Sequence, residues 1–261
     1  MLKLIRLFGT LFSLSLRRQI AFRADLVFEV VLTVVALASA LVALAMIYTR
    51  TNTLGGWHPG EAIALLGTFQ IVSGLRAAFV EPNLQWFGNH VKDGRFDALL
   101  TQPAPAIFLA SLSSCAPLAL AQVGLGGVVV AYGVHHAGIT VTPVGVATWL
   151  VLLLAATAVM WATRTILAAT VFWALGLSLD AVYDAVWQFA RYPVDVYRRP
   201  LRLLLTYVLP VAFLATVPSG ALLNGGELLV VLMAVGVAVG GCLLAHLVWR
   251  AGLRCYTSAT S

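Results

Sequence analysis

Six long apolar intervals alternate with short polar stretches along the chain, and their lengths predict how often it crosses a membrane. About 20 apolar residues span a hydrocarbon core ~30 Å thick, and each interval is long enough to do so. The intervals are continuously apolar rather than alternating, which favours helices over the strands of a barrel. The predicted membrane helices lie at residues 24–48, 62–79, 107–132, 144–179, 201–223 and 228–249. We therefore expect an all-α, polytopic helical bundle that forms one transmembrane domain over residues 1–261.

An amphipathic helix is predicted ahead of the first interval, over residues 1–22. Apolar side chains such as Phe8 and Phe12 recur at helical spacing, and basic ones such as Arg6 and Arg17 fall on the opposite face. A helix with a basic face and an aromatic-aliphatic face suits the surface of a membrane. We expect this segment to be an interface helix.

The fourth interval, residues 144–179, is too long for one ordinary span and holds Arg164 near its middle. As one helix it would reach ~54 Å at ~1.5 Å per residue, whereas two helices would move every later segment to the other side. One helix leaves nearly all the basic residues outside the spans on one side, together with both termini and residues 88–103. Because basic residues concentrate in cytoplasmic loops, the pattern favours one helix and six spans, with that side cytoplasmic.

Composition narrows the class of protein. Only 10% of the residues are charged, against about 25% in soluble domains, so little length remains for a soluble domain. The net charge of +6 comes from residues beside the spans and does not indicate nucleic acid as a partner. Lys3 and Lys92 are the only lysines and neither lies in a GxxxxGK(S/T) phosphate loop, while the adjacent His135 and His136 do not make a metal site. We expect no metal, no bound cofactor and no catalysis by this chain.

The longest clearly polar interval between two spans, residues 88–103, is the first candidate site. Asp93 and Gly94 predict a turn, and the apolar residues 98–100 follow. A short, partly apolar element held outside the membrane by flanking spans suits a docking contact; the alternative is a solvated loop. The candidate docking residues are Asn89, His90, Lys92, Asp93, Gly94, Arg95, Phe96 and Asp97.

Two of the few ionisable residues inside predicted spans form a candidate pair. Glu29 and Arg76 should sit at similar depth near the cytoplasmic side, and charges within a membrane usually face a partner or water. They either pair across the first two spans or reach separately to the headgroups.

Two further polar or broken segments occur late in the chain. With six spans, a second polar belt at residues 180–200 is also expected on the cytoplasmic side; its candidates are Arg191, Tyr192, Asp195 and Arg198. The fifth interval contains the helix-breaking residues Pro210 and Pro218, with Ser219 and Gly220 after them. These predict a helix entering from the inside, followed by a broken re-entrant element at the outer face.

Several blocks spread through most of the chain resemble one known family. They are residues 55–57 (GGW) with Glu61, 94–100 (GRFDALL) with Pro103, 189–197 (FARYPVDVY), 204–213 (LLTYVLPVAF) with Pro218 and Ala221, and 256–259 (YTSA). The block at residues 189–197 is the most specific of them. On these residues the chain resembles the permease subunit of type-2 ABC transporters, in the branch linked to drug and antibiotic efflux.

The resemblance implies partners that the residues alone do not. Two permease subunits, the same or homologous chains, should form the pathway, and a separate cytoplasmic ABC ATPase dimer should bind the ATP and Mg²⁺. Residues 88–103 then resemble the coupling helix that docks in the ATPase, and residues 1–22 resemble the family's interface helix. The expected location is a bacterial cell membrane, and the expected cargo is a hydrophobic or amphipathic small molecule, such as a drug, an antibiotic or a lipid-like compound.

Two other classes stay open from the sequence. An ion-coupled transporter would place acidic residues in mid-membrane, whereas Glu29 lies near an edge. A non-catalytic membrane scaffold would be the passive member of an unequal pair. The sequence does not distinguish a homodimer from a heterodimer or identify the cargo, and the direction of transport follows from the resemblance alone.

Overall fold

The computed structural model of the chain describes residues 2–21, 23–85, 87–174, 177 and 179–256. Side chains are described there except those of residues 2–5, 20, 21, 23–26, 29 and 208. Helices account for 82% of the chain. Within the described part, five helical stretches are long and apolar enough to cross a membrane: Val30–Tyr48, Pro59–Lys92, Pro117–Ala137, Pro143–Phe172 and Leu228–Cys255. The predicted all-α, polytopic membrane bundle is confirmed.

The helices are numbered in chain order. The α-helices are α1 (Leu2–Ala21), α2 (Arg23–Tyr48), α3 (Pro59–Leu75), α4 (Glu81–Leu84), α5 (Phe87–Lys92), α6 (Arg95–Leu100), α7 (Ala106–Leu112), α8 (Leu120–Ala137), α9 (Pro143–Ala169), α10 (Asp180–Gln188), α11 (Arg199–Leu203), α12 (Thr216–Asn224) and α13 (Leu228–Cys255). π-Helical turns occur at Arg76–Val80 and Leu204–Val208. Shorter 3-10 turns occur at Pro117–Ala119, Thr170–Phe172, Phe189–Arg191, Val194–Val196 and Val211–Phe213.

Helices α3 and α8 form the centre of the bundle, antiparallel and with their backbones in contact. A Cβ on Gly67 would lie 2.6 Å from the backbone nitrogen of Val130, and one on Gly126 would lie 2.8 Å from the carbonyl oxygen of Gly67. Gly60 and Gly133 face the opposite backbone in the same way. Lipid tails are as apolar as leucine, so helices in a membrane associate through close packing, which small residues allow.

The bundle has two ends, which we name by one residue each. The Trp57 end holds the loop at residues 49–58, the start of α9 and the start of α13, where Gly226 lies against Thr148. The Phe96 end holds α4 to α7 and the ends of α9 and α13, where Phe172 packs edge-on against Trp249.

Helix α1 also lies at the Phe96 end. The backbone N–H of Cys115 donates to Ser15 Oγ at 3.3 Å, and that of Leu118 donates to Gln19 Oε1 at 3.1 Å. Phe12 packs on Phe79, with ring centroids 6.3 Å apart. The amphipathic helix is therefore anchored on the turn that leads into α8.

The third predicted span, residues 107–132, is not one helix. Helix α7 ends at Leu112 and α8 begins only at Leu120. Asn83 holds the intervening break, because its Oδ1 accepts from the Ser114 N–H at 2.8 Å and its Nδ2 donates to the Ser114 carbonyl at 2.7 Å. Three serines and Pro117 favour non-helical backbone here, which a count of apolar residues does not detect.

The fourth predicted span, residues 144–179, is also shorter than expected. Helix α9 ends at Ala169, a 3-10 turn ends at Phe172, and α10 begins at Asp180. The chain then returns along the bundle, since Trp187 Nε1 donates to Ser73 Oγ at 3.1 Å and Asp195 reaches the Trp57 end. Residues 180–196 therefore run along the bundle toward the Trp57 end, and residues 201–223 do not form the single helix predicted for them.

Residues 199–224 instead form a re-entrant hairpin that opens at the Trp57 end. The chain descends through α11 and the π-turn to Leu209 and Pro210, which lie beside Thr163 of α9, deep in the bundle. Helix α12 then runs back toward the Trp57 end, where Gly220 lies against the Trp57 ring. Pro210 has no N–H to continue a helix, which accounts for the reversal at this point.

Candidate functional site

The polar stretch at residues 88–103 folds as two short helices joined by a tight turn. Helix α5 ends at Lys92 and α6 begins at Arg95. Gly94 between them has φ of 71°, a left-handed conformation that glycine adopts without steric cost. The Asp93-Gly94 pair thus makes a sharp corner at the tip of the segment, as a turn signal predicts.

Phe96 anchors this corner to the membrane helices. Its side chain is completely buried and contacts four aromatic rings at centroid distances of 5.3 to 6.1 Å. These rings are Phe87 of α5, Phe172 at the end of α9, Trp249 of α13 and Tyr256 just after α13. We call these five residues the Phe96 cluster. The Tyr256 hydroxyl adds a hydrogen bond to Asp97 Oδ1 at 2.8 Å.

The polar side chains of the corner lie on its outside. Asn89, Lys92, Asp93 and Arg95 are exposed. The side chains of Asp93 and Arg95 approach each other to 3.9 Å while 54% and 71% exposed, so their ion pair contributes little to stability. The element therefore presents charged groups outward and buries one aromatic anchor inward.

A second cluster of charges lies behind the corner, with both of its arginines largely buried and two of its carboxylates 36% and 47% exposed. Arg76 Nε lies 2.6 Å from Glu81 Oε1, and Arg164 Nη2 lies 2.5 Å from Asp180 Oδ1. Glu81 Oε1 also lies 3.5 Å from Arg164 Nε, and Arg76 forms a second ion pair with Asp184. We call these two arginines and three carboxylates the charge network. It ties the π-turn after α3 to α9 and α10.

Aromatic rings cover the charge network. The guanidinium carbon of Arg76 lies 4.7 Å from the centre of the Trp187 ring and 5.0 Å from that of Tyr183. The side chain of Arg164 is only 3% exposed. Removing one member of a buried ion pair leaves an uncompensated charge, which is strongly destabilising. The network therefore holds the region between α3, α9 and α10 in one arrangement.

Comparison with known proteins identifies the chain. The family described as ABC-2 family transporter protein matches residues 34–260, which is most of the chain. The chain belongs to this family. It is thus the membrane permease of an ABC transporter, a multi-pass membrane protein, and the predicted membership of the type-2 ABC permease family is confirmed. No curated protein and no solved structure matches the chain.

The predicted pairing of Glu29 with Arg76 stays a prediction. The side chain of Glu29 lies outside those that the structure describes. The described partners of Arg76 are Glu81 and Asp184, which the sequence analysis missed. The spacing of Asp180 and Asp184, one helical turn apart, was the available signal, because such residues share a helix face.

The second belt of this permease is not where it was predicted. Asp195 Oδ2 accepts from Trp57 Nε1 at 3.2 Å and Asp195 Oδ1 pairs with Arg202 at 2.5 Å, at the end opposite the Phe96 cluster. Arg191 lies deeper, 5.8 Å from the centre of the Phe69 ring. Tyr192 is half-buried and Arg198 is exposed. The error arose because the polar residues of a segment that runs along the bundle look like those of a loop.

A hydrogen bond near this belt also holds the side chain of Tyr197 in place. The hydroxyl of Tyr197 donates to the Phe189 carbonyl at 3.1 Å. Burial, with a smaller effect of Tyr192, raises the pKa of Tyr197 to about 12. Tyr197 is therefore neutral at physiological pH and acts as a fixed donor.

The re-entrant residues lie together in the hairpin at residues 199–224. Pro210 forms its turn, Pro218 lies in the first turn of α12, and Ser219 is fully buried. Within the described residues no group of three or more His, Cys, Asp or Glu converges as a metal site would require.

Proposed function

We propose that this ABC-2 permease is the membrane subunit of an ATP-driven exporter and that residues 88–103 couple it to a cytoplasmic ATPase dimer. The observation that carries the proposal is the geometry of Phe96. One residue of an exposed, charged corner is completely buried against the ends of α9 and α13. A solvated loop between spans has no need of such an anchor.

The Phe96 cluster gives the corner mechanical contact with the spans. Aromatic pairs contribute about 0.5–1.5 kcal/mol each beyond the area that they bury, and Phe96 makes four of them. Displacement of α6 must therefore move α9 and α13 or break these contacts. ATP binding can drive that displacement only if the ATPase surface binds the corner differently before and after it closes.

The distribution of basic residues supports a cytoplasmic Phe96 end. After the correction of the second belt, the Trp57 end carries Arg50, Arg198, Arg199 and Arg202. The Phe96 end carries Arg6, Arg17, Arg18, Lys92, Arg95, Arg250 and Arg254. The excess of positive charge still favours the Phe96 end as cytoplasmic, together with α1 and the end of α13. ATP and Mg²⁺ would then be bound by the partner.

In this proposal the pathway is shared with a second permease subunit, the same or a homologous chain, and the cargo is a hydrophobic or amphipathic small molecule. The exposed apolar surface of α2 supports such a shared pathway, since Phe28, Leu32 and Val35 are each more than half exposed. A surface of this kind is available either to lipid or to another membrane helix.

The coupling role is tested by replacing the outward charges. The full-length chain is purified from its native membranes, the ATPase that co-elutes is identified, and both are reconstituted in vesicles. Asp93→Ala and Arg95→Ala should keep the ATPase bound but reduce cargo transport per ATP hydrolysed by about tenfold, because loss of one charge-assisted contact changes a free energy by ~1.5–3 kcal/mol. Arg198→Ala, exposed at the opposite end, is the matched control.

Orientation is measured separately. In a variant whose three native cysteines, Cys115, Cys242 and Cys255, are replaced by serine, Asp93→Cys should react with a membrane-impermeant maleimide only after the cells are permeabilised. Arg198→Cys in the same background should react in intact cells. Labelling of the Asp93 position in intact cells, or full transport by both corner variants, would contradict the docking role.

A further inference from the structure

A cavity in the middle of the bundle has a chemistry that the coupling function does not explain. It has a volume of about 310 Å³ and lies between α2, α3, α8, the end of α10 and the 3-10 turn that follows it. Its polar lining includes Gln70, Ser73, Gln122, Gln188 and Arg191. Ligand pockets have volumes of roughly 300–1,000 Å³, so a small molecule or part of one fits.

The charged group of this cavity lies far from either surface. The guanidinium carbon of Arg191 is 5.8 Å from the centre of the Phe69 ring. Phe69 lies ~15 Å along α3 from Pro59, at ~1.5 Å per residue, and the hydrocarbon core is ~30 Å thick. Arg191 therefore stands near the middle of the membrane, where an isolated charge is costly.

Arg191 differs from the other deeply placed arginines. Arg76 and Arg164 each pair with two carboxylates. Among the residues that the structure describes, Arg191 has no carboxylate within 4.0 Å, and its Nε is buried without a hydrogen-bond partner. The carboxylate of Asp195, on the next turn of the chain, forms an ion pair with Arg202 and accepts a hydrogen bond from Trp57.

The amides around the cavity are also unpaired. Gln70 is only 8% exposed, yet no hydrogen bond joins its amide to another described residue. The amides of Gln122 and Gln188, at the same cavity, likewise have no partner in the described part of the chain. Of the three, Gln70 is buried, Gln122 is half-buried and Gln188 is exposed, so amide donors around the cavity are available to a group that is not part of the chain.

We infer that this cavity binds the carboxylate or phosphate of an anionic amphipathic molecule. Arg191 supplies the balancing charge, since a guanidinium matches the planar geometry of a carboxylate or the oxygens of a phosphate. The side-chain amides of Gln70 and Gln188 donate to the remaining oxygens, and the apolar part packs along Phe69 and Trp187. The proposed function enters only in naming this molecule as the transported cargo.

The binding site is tested on the full-length chain alone, in nanodiscs of phosphatidylcholine and without an ATPase. The probe is 11-(dansylamino)undecanoic acid, and its methyl ester is the uncharged match. The wild type should bind the acid about tenfold more tightly than the ester, because a charge-assisted hydrogen bond contributes ~1.5–3 kcal/mol. Arg191→Gln should reduce acid binding to the level of the ester and leave ester binding unchanged.

Three controls separate this site from a general effect. Arg191→Lys, which keeps the charge, should retain most of the preference for the acid, and Gln70→Leu should reduce acid binding by a smaller factor. Arg199→Gln removes an exposed arginine of the same part of the chain and should change nothing. Gel filtration and thermal unfolding in detergent check that each variant is folded.

Equal affinity of the wild type for acid and ester, or unchanged acid binding by folded Arg191→Gln, would overturn the inference. Adding phosphatidylglycerol to the nanodiscs distinguishes two sources of the anion: displacement of the probe assigns the site to a lipid phosphate, and no displacement assigns it to a free amphipathic acid. Because no ATPase is present, failure here leaves the coupling proposal intact. Full transport by the Asp93 and Arg95 variants would in turn contradict the coupling proposal and leave this site intact.

Discussion

Arg164 and Arg191 are two arginines inside the same bundle, and they differ in what surrounds them. Arg164 is 3% exposed on its side chain and faces Glu81 and Asp180. Arg191 faces an aromatic ring, a cavity and side-chain amides, with no carboxylate near it among the described residues. A buried charge whose partner lies in the protein holds helices together, whereas one without such a partner is available to a ligand.

The most direct test of the difference between these two arginines is to remove each charge in turn. Arg164→Gln should lower the free energy of unfolding by about 3–5 kcal/mol, because it strips Asp180 and Glu81 of a buried counter-charge. Arg191→Gln should cost less than about 1 kcal/mol, since it leaves no carboxylate unpaired. Denaturation by SDS in mixed micelles, followed by tryptophan fluorescence, measures both.

A double variant provides the control for the network. If Glu81 and Arg164 act as a pair, the double variant Glu81→Gln/Arg164→Gln should lose less free energy of unfolding than the sum of the losses in the two single variants. The expected difference is about 0.5–3 kcal/mol. Equal losses for Arg164→Gln and Arg191→Gln would remove the distinction between a structural and a binding arginine.

A smaller effect on the free energy of unfolding is expected at the contact between α3 and α8, the two helices at the centre of the bundle. Gly67→Ala places a Cβ 2.6 Å from the backbone of Val130 and should destabilise by about 1–3 kcal/mol, because α3 and α8 must move apart. Gly124→Ala, on α8 but with nothing within 4 Å of the added Cβ, should be neutral or stabilising. The same SDS titration measures the pair, and a harmless Gly67→Ala would argue against backbone contact.

The smallest effect is expected at the Trp57 end. Arg202→Gln breaks the ion pair with Asp195, but the arginine side chain is 52% exposed. Partly exposed pairs contribute about 0–1 kcal/mol, so the free energy of unfolding should hardly change. A loss as large as that of Arg164→Gln would show that burial is not what separates these arginines.

Sequence reasoning succeeded where one local property decides the outcome. Residues 88–103 were singled out because they are polar between two spans, and Asp93 with Gly94 does form a tight turn. The amphipathic spacing of residues 1–22 likewise corresponds to α1. Both depend on neighbours within a few positions, and a single chain displays such neighbours directly.

It failed where the backbone reverses inside an apolar environment. Residues 201–223 contain enough apolar residues for a span, yet they fold back at Pro210. Residues 180–196 contain too many polar residues for a span, yet they run the length of the bundle. The polar groups are paired there by distant residues such as Arg76 and Trp57, and no count of hydropathy along the chain includes such partners.

The sequence alone determined that the chain is an all-α membrane bundle, because its continuously apolar runs favour helices over the alternating strands of a barrel, and its blocks of resemblance indicated the ABC-2 family. Tertiary structure alone decided that residues 180–196 run along the bundle, that Phe96 joins the charged corner to α9 and α13, and that Arg191 is left without a described carboxylate. The physical reason is that pairing and burial depend on residues far apart in the chain, whereas the helical pattern depends on residues close together.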